Sequence, residues 1–136
     1  MFTLTVSDHT MVAHSLPDPF FGPAQRVHGA TYAVDASLIA DDLDEHGVVA
    51  DIGALARALR AVLGDLDHRN LDDDPAFAGV LTTTEVLART VADRLAGRIR
   101  AGALGSSTEH LRELDVTLRE SPVAAAGYRR TLGVGP

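Results

Sequence analysis

Neither cysteine nor lysine occurs among the 136 residues. Without cysteine there are no disulfides, no thiolate nucleophile and no sulfur ligand for a metal. Without lysine there is no Schiff base, so carbon–carbon bond chemistry would have to rest on a metal or on ordinary general bases. Positive charge is also scarce: 12 arginines stand against 19 acidic residues, for a net charge of -7. That balance argues against nucleic acid or an anionic membrane surface as a partner, since both select for positive stripes. No apolar run is long enough to cross a bilayer, and the amino terminus alternates like a strand rather than opening with a charged head and an apolar block. The expected compartment is the cytoplasm, and the expected organisation is one domain over 1–136.

What remains for chemistry is His, Asp, Glu and Tyr. The stretch Arg26 to Ala40 reads as a strand, with His28, Ala30, Tyr32, Val34, Ala36 and Leu38 on one face and Asp35 and Ser37 on the other. A His-Gly-His here would aim two imidazoles in parallel and make half of a zinc site; the second of those positions is Ala30. Before it, Phe2 to Ser15 reads as a first strand whose core face carries Phe2, Leu4, Val6, Thr10, Val12 and His14, interrupted by Asp8. Leu16 to Gln25, with Pro17, Pro19, Gly22 and Pro23 around Phe20 and Phe21, is too rich in breakers to form an element. If the two strands form a hairpin, His14 and His28 flank this loop and the loop roofs a site.

Val48 to Ala50 reads as a short extended piece ending at Asp51, a helix N-cap. The helix that follows repeats Leu55, Leu59, Val62, Leu63 and Leu66 at spacings of three and four and delivers Asp67 and His68 at its end. After a polar loop from Arg69 to Gly79, Thr82 and Glu85 form a capping-box pattern ahead of Leu87, Val91, Leu95 and Ile99. A Gly/Ser-rich connection, 102–108, leads to a third strand in which Leu114, Val116, Leu118 and Glu120 share the core face. Val123 to Leu132 reads as a short fourth strand, and 133–136 as a tail. The expected class is α+β in the order β-β-α-α-β-β.

This order, together with Ala13-His14-Ser15-Leu16, His28-Gly29, Gly47 to Asp51, Leu66-Asp67-His68, Thr83-Thr84-Glu85 and Glu120 eight residues before Tyr128, resembles the 6-pyruvoyl-tetrahydropterin synthase and 6-carboxy-tetrahydropterin synthase family. The resemblance spans Phe2 to Tyr128. It implies a tunnelling fold, a four-stranded antiparallel sheet with two helices on one face, assembled into a homohexamer with a pterin pocket at the subunit junction. It implies that Glu120 anchors the heterocycle, with Thr84 and Glu85 also on the substrate side. A carboxylate accepts two parallel N–H bonds from an amino-pyrimidine edge as it does from a guanidinium. Read from the residues alone, Glu85 is a helix cap before it is a functional group. His14 and His28 match two of the family's three zinc histidines, and Asp67 with His68 its proton-transfer dyad.

Two departures fall in the active centre. Ala30 replaces the third zinc histidine, and Ala24 stands where the family usually carries a cysteine base; the nearest acid in that loop is Asp18. Zinc is therefore expected only at an incomplete site, with the third ligand unassigned. His9 is a poor substitute, five residues from His14 on the other face and about 16 Å away in a regular strand. His46 and His110 are expected to be exposed. Two functions follow from the resemblance: a carbon–oxygen or carbon–carbon lyase acting on a dihydroneopterin-triphosphate-like or related polar heterocycle or carbonyl substrate by metal-assisted acid/base chemistry, or a non-catalytic or metal-free pterin-fold binding protein.

Overall fold

The computed structural model describes residues 1–133. Strand β1 (Phe2–His14) and strand β2 (His28–Ala40) pair antiparallel in unbroken register from Phe2↔Ala40 to His14↔His28. The period of two decides the faces. Val6, Thr10, Val12 and His14 of β1 and Tyr32, Val34, Ala36 and Leu38 of β2 are buried. The opposite face is polar, with Thr5 bonded to Ser37, Ser7 to Asp35, and Asp35 paired with Arg119. A sheet covered on one side only shows this alternation.

Helix α1 (Ile52–Gly64) starts where Asp51 accepts the Ala54 N–H at 3.0 Å. It buries Leu55, Leu59, Val62 and Leu63. Leu66, expected within the helix, is buried in the turn just beyond its end. Helix α2 (Thr84–Arg100) buries Leu87, Val91, Leu95 and Ile99 together with Ala88, Ala92 and Ala96. Its N-cap is Thr83, whose hydroxyl accepts the Val86 N–H; Thr82 and Glu85 do not form the expected box. Both helices join the core face of the sheet in one apolar cluster.

Strands β4 (Leu111–Ser121) and β5 (Ala124–Thr131) complete the antiparallel part, β4 against β2 and β5 against β4. A two-residue strand, β3 (Arg69–Asn70), adds a fifth member parallel to β1, giving the order β3-β1-β2-β4-β5. So short a parallel contact leaves no periodicity in the sequence. Val48 to Ala50 forms bends rather than a strand, and the Pro-rich loop contains a 3₁₀ segment, Pro19–Gln25, kinked at Gly22 with φ 54°. Pro19 and Pro23 carry φ values that suit such a turn, so breakers of longer elements build this short one. Of the tail expected over 133–136, residues 134–136 lie outside the described residues.

Candidate active site

Two clusters gather the residues singled out by the sequence. The first lies on the core side at the open end of the β1–β2 hairpin. His14 and His28 are register partners, their ring centroids 4.6 Å apart and their planes tilted by 57°. His14 is only 3% exposed, and its Nδ1 lies 2.9 Å from the Thr82 hydroxyl. His28 Nδ1 lies 2.8 Å from the Arg26 carbonyl, which only accepts, so this nitrogen carries the proton. Burial, and then the neighbouring His28, hold the His14 imidazole below its ordinary basicity, against the opposing pull of Thr82, Asp72 and Glu120.

Tyr32 lies four residues beyond His28 along β2, fully buried. Burial raises its phenol above the ordinary value; the Thr84 hydroxyl beside it lowers it and the Glu120 carboxylate raises it again. Glu120 thus acts electrostatically on both Tyr32 and His14. It is exposed rather than closing a buried apolar row, at a shift in the β4–β5 register between Arg119 and Ser121. Glu85, on the first turn of α2, is exposed.

The second cluster sits at the β1 edge. Asp67 Oδ1 accepts the Thr10 hydroxyl at 3.2 Å and the Met11 N–H at 3.0 Å, while Oδ2 lies 3.4 Å from Arg60 and 3.8 Å from His68 Nε2. The Met11 N–H, then His68, Thr10 and Arg60, hold the Asp67 carboxyl below the usual aspartate range despite some desolvation. Arg60 also binds Asp8 at 3.0 Å, which accounts for the polar interruption in β1. His68 has φ 59°, the one positive value among the described non-glycine residues, and its N–H donates to the Met11 carbonyl at 2.7 Å. An L-residue in the left-handed region carries a conformational cost. A cavity of about 370 Å³ opens here, lined by Met11, Ala13, Gly29, His68, Arg69 and Asn70 among others. Met11, Ala13 and Gly29 belong to the face turned away from His14 and His28, while Asp67 also bonds Thr10 on the buried face, so the dyad sits at the β1 edge.

The remaining candidates are committed elsewhere. Asp18 caps its own turn by accepting the Phe20 N–H at 2.9 Å. Asp72 accepts the Ser15 N–H on one oxygen and the Ser15 hydroxyl on the other. His110, half-buried rather than exposed, bonds the Val49 carbonyl, and His46 is exposed beside Glu45. Beside the histidine pair, Ala30 faces Val12. Among the described residues no three His, Asp or Glu side chains stand close enough to share a metal ion. Two imidazoles fall one short of the three protein ligands of a catalytic zinc, so this donor set does not fit the ion by itself.

Thr82 and Arg60 were not legible as site residues in the sequence. Thr82 reaches His14 across 68 positions and left no local signal. Asp8 was the signal for Arg60: a carboxylate on a core face needs a cation.

Residues 3–131 match the family described as 6-pyruvoyl tetrahydropterin synthase. The 6-carboxy-5,6,7,8-tetrahydropterin synthase of Bacillus subtilis is 30% identical over 136 residues, an alignment covering 97% of this chain and 88% of that protein. The Caenorhabditis elegans 6-pyruvoyl tetrahydropterin synthase superposes with a TM-score of 0.76 at 26% identity, over 95% of both chains. The Plasmodium vivax 6-pyruvoyl tetrahydropterin synthase, 20% identical, has the same fold with a TM-score of 0.76 over 96% of this chain and 98% of that one. The fold and a match over nearly the whole chain agree, and the protein belongs to the 6-pyruvoyl tetrahydropterin synthase family.

Proposed function

We propose that this chain is a pterin-type lyase that cleaves a carbon–oxygen or carbon–carbon bond in a dihydroneopterin-triphosphate-like or related polar heterocyclic substrate. The observation that carries the reading is His68. It is held in a costly backbone conformation beside a carboxylate whose two oxygens are fixed by Thr10, Met11 and Arg60. Ordinary packing makes no such demand, and strain of this kind collects at functional sites.

In this reading His68 moves a proton to or from the reacting side chain. Asp67, kept ionised, stabilises the imidazolium that results. Glu120 receives the N–H edge of the ring, with Thr84 and Glu85 beside it at the start of α2. Tyr32 forms the buried floor. Zinc, in the family's role, would polarise a side-chain oxygen; this chain offers it His14 and His28 only. The dyad sits at the β1 edge and the histidine pair at the open end of the hairpin, two separate clusters of one chain, which supports a site completed between copies. The outer strands β5 and β3–β1 leave backbone donors and acceptors that edge-to-edge assembly into a homohexamer would satisfy.

One specific feature favours a second reading, a binding protein without turnover: Ala24 and Ala30 stand where the family carries its base and its third ligand. Turnover of dihydroneopterin triphosphate, followed by product analysis with wild type and His68→Ala, separates the two. Turnover lost with His68 supports the lyase. Binding weakened by Glu120→Gln, with no turnover in wild type, supports the binding protein.

A further inference from the structure

We propose that the His14–His28 pair is a metal-independent acceptor site, in which two imidazoles, each held through Nδ1, turn Nε2 lone pairs directly towards hydroxyl or N–H groups of the ligand. The choice of a pterin as that ligand rests on the function proposed above; the arrangement of the pair does not.

Three observations carry it. The first is the fixing of the rings. The Arg26 carbonyl takes the His28 Nδ1 proton, and Thr82, itself 2% exposed, engages His14 Nδ1. Nδ1 is thus the engaged nitrogen of both rings; a hydroxyl can accept, and with Thr82 accepting, His14 takes the same Nδ1–H form as His28. Such partners orient an imidazole and set which nitrogen keeps its lone pair.

The second is what surrounds the free nitrogens. The third ligand position is the methyl group of Ala30, and the residue opposite it across the hairpin is Val12, 3% exposed. Asp72, the acid of the neighbouring loop, has both oxygens bonded to Ser15. No further His, Asp or Glu among the described residues completes a metal-binding group.

The third is proximity. With centroids 4.6 Å apart, the two rings meet one small group of a ligand together. Two neutral acceptors side by side suit a donor-rich fragment such as adjacent hydroxyls, and each ring nitrogen accepts one hydrogen bond.

The test uses the full chain purified without a histidine tag. Long-range ¹H–¹⁵N spectra of the histidine rings should show both residues as Nδ1–H with unprotonated Nε2; finding His14 with its proton on Nε2 would overturn the proposal. Zinc titration by calorimetry should give no tight stoichiometric binding to wild type. Tight binding of one zinc per chain that disappears in His28→Ala would overturn the proposal equally. With chelator present, 7,8-dihydroneopterin should bind wild type, and His28→Ala, a half-exposed position that spares the core, should weaken it about tenfold, as expected for loss of one hydrogen bond. Equal affinities with and without His28 would overturn the proposal. If wild type binds no dihydroneopterin at all, the pterin reading fails, while the ring spectra and the zinc titration still decide the state of the pair.

Discussion

The two clusters are held by different physics. His14 and His28 are fixed by burial and by neutral hydrogen bonds, with an apolar pair, Ala30 and Val12, alongside. Asp67 and His68 are fixed at a sheet edge by ionic and backbone contacts, with His68 exposed to solvent. The exposed cluster sets a carboxylate beside an imidazole, whereas the buried one sets two imidazoles beside the methyl group of Ala30. Burial tolerates an imidazole replaced by a methyl group, because the core face accepts alanine without leaving a polar atom unpaired. At the edge, removing Asp67 takes the acceptor from the Thr10 hydroxyl and the Met11 N–H, although Arg60 keeps Asp8.

The comparison breaks most sharply at His68. Its replacement by alanine should lower turnover by roughly a hundredfold to ten-thousandfold, the range for loss of a general acid or base. Steady-state rates with dihydroneopterin triphosphate read this, and undiminished kcat would remove the dyad from the chemistry. Next comes Glu120→Gln, for which calorimetry with reduced pterins should show binding weaker by roughly ten- to a hundredfold, as when one partner of a charge-assisted pair is neutralised. Equal affinity would place the ring elsewhere.

Thr82→Val should destabilise the fold by about 1–3 kcal/mol in denaturant titration, because the buried His14 Nδ1 loses its side-chain partner. Thr82→Ser should restore most of it. The backbone strain at the dyad gives a smaller effect: His68→Gly should be about 1 kcal/mol more stable than His68→Ala, since both lack the ring and only glycine adopts φ 59° at little cost. Equal midpoints would mean that the turn is not strained. The smallest effect is in acid. The folded Asp67 carboxyl lies below the ordinary 3.8, so its contribution is fully present above that value and is lost as pH falls through the lower folded value. Acid unfolding of Asp67→Asn should therefore lack a part of the pH dependence that wild type shows below about pH 4, and coincident profiles would deny that linkage.

Much of this was legible in the sequence, and for one reason. A period of two specifies which face of a strand is buried, so the positions of His14, His28 and Tyr32 followed from alternation along β1 and β2. Asp51 and the leucine spacing marked α1 in the same way. Capping was less determinate: Thr82, Thr83 and Thr84 are chemically alike, and the backbone geometry chose Thr83. Glu120 followed its alternation only as far as the register shift, which depends on how β5 pairs and not on β4 alone.

By itself, then, the sequence determined the hairpin, the two amphipathic helices and the meeting of two histidines, because local periodicity and unbroken register carry that information over short distances. Only the tertiary structure decided that Thr82 orients His14 and that Arg60 joins Asp8 to Asp67. Those contacts join residues 68, 52 and 7 positions apart, and what brings them together is the packing of helices on a sheet, which no local pattern encodes.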